Sequence, residues 1–242
     1  MTDDGPQVDI HHMNDLYDAL TVEIIERVCG PESSCVDVGA GMGDLLKHMV
    51  RVAPAGRHFA VEPLPRHAEH LRREFAGVEV CEAAASADTG SAGFVHVASN
   101  PGYSGLHRRP YDRDDEVLEE IRVATTTLDE LVGPDARIDL IKIDVEGGEV
   151  GVIRGASGIL RGSRPVIAFE HGGDRVVHEY GVTTDDLWRE LAGHGYRIWT
   201  LPGFFNGDPA LDRPSLDLEL QTHWYFVAAH PANEPGRRGE NT

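Results

Sequence analysis

Three carboxylates stand at the end of an apolar segment of this 242-residue chain, in the run IDLIKIDVEGGE at 138–149. The apolar residues predict a strand that is buried on both faces, so the polar residues at its carboxyl end need a reason to be there. Open α/β sheets bind ligands beyond the carboxyl ends of their strands. Asp144, Glu146 and Glu149 are therefore predicted to face a cleft, where a carboxylate with a raised pKa can act as a general base.

A second cluster of titratable groups ends the strand predicted for PVIAFEHGG at 165–173. His171 is a further candidate base beside the three carboxylates, because histidine titrates near neutral pH, and none of the four is favoured over the others. Together with Glu170, these groups could instead bind a hard divalent ion that lowers the pKa of a hydroxyl substrate. Their spacing is not diagnostic of a metal site.

Three glycines at alternate positions, Gly39, Gly41 and Gly43, follow the apolar run at 35–38. Residues 45–50 then continue with helical spacing, which predicts a strand, a glycine loop and a helix. Glycine permits a tight turn and lets a ligand approach the backbone, while the amides at a helix start present donors. In the dinucleotide fingerprint the third glycine would stand at position 44, which is occupied by an aspartate.

The next two predicted strands offer contacts for a nucleoside. HFAVE at 58–62 ends in Glu62 and Pro63, and in doubly wound folds a carboxylate at this strand tip accepts hydrogen bonds from ribose hydroxyls. VEVCEAAAS at 78–86 ends in small residues around Ala84, which leave room for a flat ring such as adenine. The glycine loop and these two strand ends together predict a nucleoside cofactor site.

Six motifs resemble, in their order, the FkbM family of S-adenosylmethionine (AdoMet)-dependent methyltransferases: DVGAGMGD at 37–44, VEP at 61–63, TLDEL at 127–131, LIKIDVEGGE at 140–149, RGA at 154–156 and PVIAFE at 165–170. The resemblance implies the class I fold, a single Rossmann-like α/β domain whose seven-stranded, mostly parallel sheet has helices on both faces. It implies methyl transfer, usually to a hydroxyl of a natural product or sugar. The AdoMet contacts that it implies are Asp37, Gly39, Gly41, Gly43, Glu62 and Asp144. Ala40, Pro63 and Ala84, which stand in the same loop and strand ends, are expected to contact the cofactor as well.

Other activities stay open at this point. A NAD-dependent oxidoreductase would also use a glycine loop and a carboxylate at the second strand tip, but Asp44 in the third-glycine position disfavours it. A non-catalytic AdoMet-binding module is disfavoured by the acidic groups that cluster at the predicted cleft. Within methyl transfer, an amino group is the alternative acceptor to a hydroxyl.

The length of the chain suits one α/β domain. Apolar residues recur every four positions from Leu16 to Val28, which predicts an amphipathic helix within an N-terminal extension at 1–30. The methyltransferase domain is then expected at 31–230 and a polar, disordered tail at 231–242. The long polar segment at 99–116, between two half-exposed strands, is expected to form a lid or substrate loop.

Composition limits the partners. The 41 acidic residues exceed the 22 Lys and Arg residues, giving a formal charge of −19, which argues against nucleic acid or an anionic membrane as partner. A neutral or cationic small-molecule acceptor, such as an aminosugar, fits better. Three widely spaced cysteines predict buried free thiols, and no apolar run reaches the ~18 residues of a membrane span. We expect a cytoplasmic protein, of an oligomeric state that the sequence leaves open.

Overall fold

The computed structural model describes residues 10–111, 113 and 115–234, with side chains from Met13 onward. Its strands are β1 (Cys35–Val38), β2 (His58–Val61), β3 (Val78–Cys81), β4 (Ala84–Ala85), β5 (Gly90–Val97), β6 (Leu118–Thr126), β7 (Leu140–Ile143), β8 (Val166–Glu170), β9 (Arg197–Thr200) and β10 (Tyr225–Ala229). Its helices are α1 (Ile10–Val28), α2 (Leu46–Val52), α3 (Pro65–Glu74), α4 (Leu128–Val132), α5 (Glu149–Arg154), α6 (Ser157–Gly162), α7 (Asp174–Val177), α8 (Thr184–Gly193), α9 (Leu201–Asn206) and α10 (Arg213–Glu219). The predicted tail begins in a 3-10 turn, Pro231–Asn233, and residues 235–242 lie outside the described range.

Seven strands form one sheet in the order β3-β2-β1-β7-β8-β10-β9. Every neighbouring pair is parallel except those of β10, which runs antiparallel to β8 and to β9. The predicted seven-stranded, mostly parallel sheet is therefore confirmed. The strand order reverses between β1 and β7, whose carboxyl ends lie side by side because Val38 is in register with Ile143. Ligands of open α/β sheets bind in the crevice at such a switch point.

Two apolar clusters cover the opposite faces of this sheet. On β1, Val36 and Val38 belong to one cluster and Cys35 to the other, because successive side chains of a strand point to opposite faces. All four residues of β1 and all four of β7 are buried. The strands that precede the glycine loop and the acidic cluster are thus held rigidly, which fixes the direction in which both segments leave the sheet.

A second, three-stranded sheet of order β4-β6-β5 was not foreseen. The segment at 78–86, expected as one strand, divides into β3 in the main sheet and β4, which pairs in parallel with β6. Strands β5 and β6 form an antiparallel pair in which Val97 lies opposite Leu118. The polar segment between them contains a 3-10 turn, Pro101–Tyr103, and folds back so that Gly105 bridges Val95.

Helix α1 confirms the predicted amphipathic helix, but its buried face differs from the expected one. Ile24 and Val28 of the predicted repeat are buried, but Leu16 is 41% exposed, and Tyr17 and Thr21 are buried at the N-terminal end of this face. The four-residue apolar repeat misses part of this face because a tyrosine and a threonine provide it. Within the described chain, no helix combines the length and apolar character that crossing a bilayer requires.

The three cysteines are free thiols, as predicted. Cys29 and Cys35 are buried with their Sγ atoms 3.6 Å apart, and Cys81 is half-buried. Burial raises the pKa of the Cys81 thiol, so it stays protonated at neutral pH.

Candidate active site

The glycine loop between β1 and α2 takes the left-handed backbone conformation three times, with φ of 73° at Gly39, 54° at Gly41 and 87° at Gly43. A Cβ on Gly39 would lie 1.8 Å from the carbonyl oxygen of Asp144. A Cβ on Gly41 would meet nothing within 4 Å. The first glycine therefore lets the loop pass the end of β7, while the second leaves bare backbone facing open space.

A cavity of about 250 Å³ opens at this bare backbone. Its walls include the following predicted cofactor residues: Asp37, Gly39, Ala40, Gly41, Glu62, Pro63, Ala84 and Asp144. Gly43 does not line the cavity, because its Cα faces the ring of Phe75 and a Cβ there would approach that ring to 2.5 Å. Gly43 therefore allows close packing of the loop against the end of α3, and its role as a cofactor contact stays a prediction.

Glu62 holds the glycine loop from the tip of β2. Its Oε2 accepts a hydrogen bond from the Gly41 amide at 2.9 Å, and its Oε1 accepts one from the Leu64 amide at 2.8 Å. Each carboxylate oxygen has further lone pairs, so the group can still accept hydrogen bonds from ribose hydroxyls. Glu62 thus orders the loop as well as lining the cavity.

Lys142 joins the two segments beneath the cavity. Its Nζ donates a hydrogen bond to the Gly39 carbonyl at 2.8 Å and lies 3.3 Å from Asp37 Oδ1 and 3.8 Å from Asp144 Oδ2. Burial raises the pKa of Asp37, while the two carboxylates outweigh the effect of burial on Lys142 and raise the pKa of its ammonium. Lys142 therefore remains the fixed positive charge of the site.

Asp37 provides the fit test for AdoMet. The residue is 1% exposed and lines the cavity; its Oδ1 is paired with Lys142, whereas its Oδ2 has no hydrogen-bond partner among the described residues. Buried acceptors are satisfied in nearly all proteins, so a carboxylate oxygen without a partner at a cavity suits a ligand that brings donors. The ammonium and hydroxyl groups of AdoMet are such donors, and the cavity fits the cofactor.

A second cavity of about 690 Å³ adjoins the first. The two share four wall residues, namely Asp18, Gly102, Asp144 and Glu146. The remaining wall includes Tyr17 from α1, Arg109 and Tyr103 from the 99–116 segment, and His223 from the turn before β10. Asp144 therefore stands where a ligand in one cavity meets a ligand in the other.

Asp144 is the acceptor of a short hydrogen-bond network at this junction. The Tyr225 hydroxyl donates to its Oδ2 at 2.5 Å, and the Glu170 carboxyl is also hydrogen-bonded to it. Burial alone would raise the pKa of Asp144, but Lys142 and the bonds from Glu170 and Tyr225 outweigh burial and lower it. Burial and the Asp144 charge raise the pKa of Glu170 well above its usual value. Of the two carboxyls, Glu170 is therefore the one that binds a proton more readily.

Glu146 is fixed in the turn after β7 with a left-handed φ of 58°, an uncommon conformation for a residue with a side chain. The Tyr180 hydroxyl donates to its carbonyl at 3.2 Å, and its carboxylate forms a buried ion pair with Arg109. The Arg109 guanidinium lies 5.0 Å from the centre of the Tyr103 ring. The 99–116 segment is thereby fastened across both cavities.

Carboxylate oxygens of Asp144, Glu146 and Glu170 lie within 4.8 Å of one another and form the one possible metal-ligand cluster among the described residues. The charges around them argue against a metal ion. Arg109 pairs with Glu146, Lys142 lies near Asp144, and the raised pKa of Glu170 disfavours its charged form. Much of the negative charge that a divalent ion would neutralise is therefore already balanced.

Of the four predicted candidate bases, His171 and Glu149 line neither cavity. His171 is fully buried, its Nε2 is 3.0 Å from the Thr184 hydroxyl, and burial lowers its pKa to about 4. Glu149 is buried at the start of α5, where it accepts a hydrogen bond from the Gly147 amide at 3.0 Å, and burial raises its pKa to about 7. The sequence placed both near the strand ends but could not show which way their side chains point.

Sequence reasoning also missed the tyrosines of the site. The helix that contains Tyr17 and the strand that contains Tyr225 were both predicted from their apolar residues, so neither tyrosine was singled out. Tyr225 opens β10, the antiparallel strand, so it lies opposite Glu170 at the edge where β7 and β8 end. A polar aromatic residue at the start of an antiparallel last strand is the signal that could have identified it.

The geometry agrees with the comparisons to known proteins. The family model for the methyltransferase FkbM domain matches residues 37–198. A putative rRNA-methylase from Clostridium thermocellum is 10% identical over 88% of this chain and 93% of that chain, with a TM-score of 0.48. Precorrin-6y C5,15-methyltransferase from Geobacter metallireducens GS-15 is 18% identical over 88% and 86%, with a TM-score of 0.44. No curated protein matches the chain.

Because both TM-scores are below 0.5, the assignment rests on the family match, which spans two thirds of the chain. It decides against the oxidoreductase and the non-catalytic module. The motifs at 37–44 and 140–149 that border the first cavity fall within the matched region. The chain belongs to the FkbM family and is an AdoMet-dependent methyltransferase.

Proposed function

We propose that the enzyme methylates a hydroxyl group of a small natural product or sugar. The observation that carries the proposal is the position of Asp144, which lines both cavities and is hydrogen-bonded to Tyr225 and Glu170. AdoMet in the first cavity supplies a methyl group on a positively charged sulfur, a good leaving group. The protein's own task is to orient the acceptor and to receive its proton.

The second cavity suits the acceptor in size and lining. Its volume of about 690 Å³ lies within the range of small-molecule sites. Aromatic rings, carboxylates and two arginines face it, so a polyhydroxylated molecule finds both flat apolar surfaces and hydrogen-bond partners. Many of its wall residues, in α1 and in the 220–225 segment, lie outside the family-matched region. We propose that these residues determine the choice of acceptor.

Within this proposal, Asp144 binds the hydroxyl group that is to be methylated and does not remove its proton. A carboxylate that has a lowered pKa and receives two hydrogen bonds is a weak base but a strong hydrogen-bond acceptor. It therefore binds the hydroxyl that is to be methylated and orients it toward the cofactor cavity. Glu146, paired with Arg109, keeps the 99–116 segment over the junction. Lys142 keeps Asp144 ionised.

An amino group is the second candidate acceptor, favoured by the negative charge that Asp144 keeps at neutral pH. Arg109 and Arg175 also line the cavity, so the formal charge of −19 is not concentrated there. An aminosugar meets both conditions, since it carries hydroxyls together with an ammonium. We further propose a cytoplasmic enzyme with no nucleic-acid or membrane partner, in keeping with free cysteines and a strongly acidic chain.

Transfer of labelled methyl from AdoMet to a panel of monosaccharides, aminosugars and hydroxylated polyketides tests the proposal. Product fragmentation by mass spectrometry distinguishes a methyl ether from a methylamine. We expect methyl ethers, and a loss of about 100-fold in kcat/KM for Asp144→Asn at nearly unchanged stability. Asp135→Asn, at an exposed carboxylate outside both cavities, is the matched control. Methylamines as the sole products would overturn O-methylation.

A further inference from the structure

Three polar side chains outside the family-matched region lie in a row at the wall of the second cavity, which is proposed to bind the acceptor and is called the acceptor cavity below. Tyr17 and His223 both line this cavity, and the Tyr17 hydroxyl is 3.0 Å from His223 Nδ1. Behind the imidazole, Glu219 Oε2 lies 3.6 Å from His223 Nε2. A carboxylate, an imidazole and a hydroxyl thus follow one another in the order that activates a hydroxyl in nucleophilic enzymes.

The backbone explains why Glu219 and His223 lie together. Glu219 is the last residue of α10, and its carbonyl accepts hydrogen bonds from the amides of Thr222 at 3.0 Å and His223 at 2.8 Å. This turn places side chains four positions apart on the same side. Glu219 and His223 form a local E-x-x-x-H pattern, and helix α1 places Tyr17 next to its histidine.

The direction of the Tyr17–His223 hydrogen bond follows from the charge of Glu219. A carboxylate near Nε2 favours the tautomer with the proton on Nε2. Nδ1 is then an acceptor, and the Tyr17 hydroxyl donates to it. Tyr17 is 2% exposed, and burial raises its pKa to about 12, so the phenol carries its proton at neutral pH.

Packing holds Tyr17 beside the junction of the cavities. Its ring stacks on that of Tyr225 with centroids 5.4 Å apart, and it meets the Trp224 ring edge-on at 5.1 Å. The Trp224 indole donates to the Asn14 side chain at 3.1 Å, which ties α1 to the start of β10. Because the same Tyr225 donates to Asp144, Tyr17 is packed against the residue that holds Asp144, the side chain that orients the acceptor.

We propose that Tyr17, His223 and Glu219 form a proton relay that receives the proton of the acceptor hydroxyl. The acceptor O–H bond breaks as its oxygen forms the new bond to the methyl carbon, and the sulfur leaves with the electrons of the bond that it loses. The acceptor proton passes to Tyr17 Oη, the Tyr17 proton passes to His223 Nδ1, and Glu219 stabilises the imidazolium. His223, whose side chain is 27% exposed, then returns its proton to water.

This inference rests on the proposed O-methylation and assigns its base. Tyr17 is the catalytic residue because it meets the acceptor, and His223 and Glu219 are positioning residues that act through it. Asp144 cannot fill the same role well, because its lowered pKa makes it a weak base. His171, one of the four candidate bases that the sequence offers, lines neither cavity.

The first test does not require the acceptor. Long-range nitrogen–proton NMR of the imidazole, assigned by comparison with His223→Gln, should show a proton on Nε2 and none on Nδ1 at pH 8. Tyr17→Phe should shift the Nδ1 signal, since it removes the donor and keeps the ring stack on Tyr225. A proton on Nδ1, or an Nδ1 signal unchanged in Tyr17→Phe, would overturn the relay whatever the enzyme methylates.

The second test uses the acceptor found in the labelled-methyl panel. We expect Tyr17→Phe and His223→Gln to lower kcat about 100-fold or more, with acceptor KM and AdoMet Kd within about twofold of wild type. Glu219→Gln should lower kcat about tenfold. Imidazole added to His223→Ala should restore part of kcat, which a purely structural role would not allow.

Tyr196→Phe and His178→Ala are the matched controls. Tyr196 is a buried tyrosine whose hydroxyl donates to the Pro165 carbonyl at 2.9 Å, away from both cavities, and His178 is exposed. Both should keep the wild-type kcat. Wild-type kcat in Tyr17→Phe with a methyl ether as product would refute the relay and leave O-methylation standing. Methylamine as the sole wild-type product would refute O-methylation itself, and the relay as base for it.

Discussion

The hydroxyl of Tyr225 donates a 2.5 Å hydrogen bond to Asp144 Oδ2, although the two residues are 81 positions apart in the chain. Strand β10 is antiparallel to β8, so its first residue lies at the edge where the parallel strands end. Tyr225 is in register with Glu170, and β8 is the neighbour of β7, which Asp144 follows. The single antiparallel strand of the main sheet thus contributes a donor to the junction of the two cavities.

We expect Tyr225→Phe to lower kcat/KM about 10- to 100-fold, because a hydrogen bond to a charged group contributes about 1.5–3 kcal/mol. The ring stack on Tyr17 is kept, so the melting temperature should change little. The measurement is methyl transfer at saturating AdoMet, with the AdoMet Kd from calorimetry as the control. An unchanged kcat/KM would mean that the bond to Asp144 does not contribute to catalysis.

Alanine at Gly39 and at Gly41 should have different effects. Gly39→Ala places a Cβ against the Asp144 carbonyl, so we expect a large loss of stability or failure to fold. Gly41→Ala adds a methyl group in open space and strains only the backbone, at a cost of about 1–2 kcal/mol, but it projects into the cofactor cavity. It should fold and bind AdoMet more weakly. Thermal unfolding and calorimetry check both, and equal stability of the two variants would contradict the packing argument.

Lys142→Met should lower the free energy of unfolding by about 3–5 kcal/mol, because it leaves the buried Asp37 without its countercharge. Adding Asp37→Asn should recover part of this loss. Lys47→Met is the matched control, since Lys47 pairs with Asp44 on the surface and should contribute less than about 1 kcal/mol. Urea unfolding measures all three, and an equal loss in the two lysine variants would refute the buried pair.

Glu149 should make stability fall as pH rises. Its pKa is about 7 in the folded protein against an ordinary value of 4.5, so the folded state holds this proton more tightly. The contribution of Glu149 to the free energy of unfolding is complete below pH 4.5 and is lost as pH rises through about 7, with a total of roughly 3 kcal/mol. Glu149→Gln mimics the protonated form. It should match wild type at pH 4.5 and exceed it at pH 8, as measured by unfolding at each pH.

The Glu149→Gln variant is needed because the titration of His171 changes the stability in the opposite direction over a similar pH range. Its pKa falls from an ordinary 6.5 to about 4 in the folded protein, so its contribution is complete above pH 6.5 and is lost as pH falls through about 4. The two slopes partly cancel in the wild type. Glu179→Gln, at an exposed carboxylate, should leave the pH profile unchanged. A Glu149→Gln profile parallel to that of wild type would contradict the assigned pKa.

Removal of metal ions should leave methyl transfer unchanged, because Arg109 and Lys142 already balance the carboxylates at the junction. Arg109→Ala should alter this, since it leaves Asp144, Glu146 and Glu170 with one fixed positive charge. We expect Mn²⁺ to raise the melting temperature of Arg109→Ala and not that of wild type. Arg113→Ala, in the same segment but with an exposed pair to Asp115, is the control. Loss of wild-type activity with a chelator would show that the cluster binds a metal.

The sequence by itself determined the framework. Apolar periodicity and glycine spacing are local properties, so they located the strands, the turn at Gly39 to Gly43 and the strand-end carboxylates Glu62 and Asp144. They also predicted one sheet strand at 78–86 where the chain in fact leaves the main sheet after Cys81. A local sequence pattern does not show that β4 pairs with β6, some forty residues away.

Only the tertiary structure decided which titratable groups line the two cavities. Glu170 faces the junction while the adjacent His171 is buried on the other side, because successive residues of an extended chain point in opposite directions. Tyr17 and His223 meet across 206 positions because α1 packs against the start of β10. Contacts of this range arise from the packing of whole elements, and no short stretch of sequence encodes them.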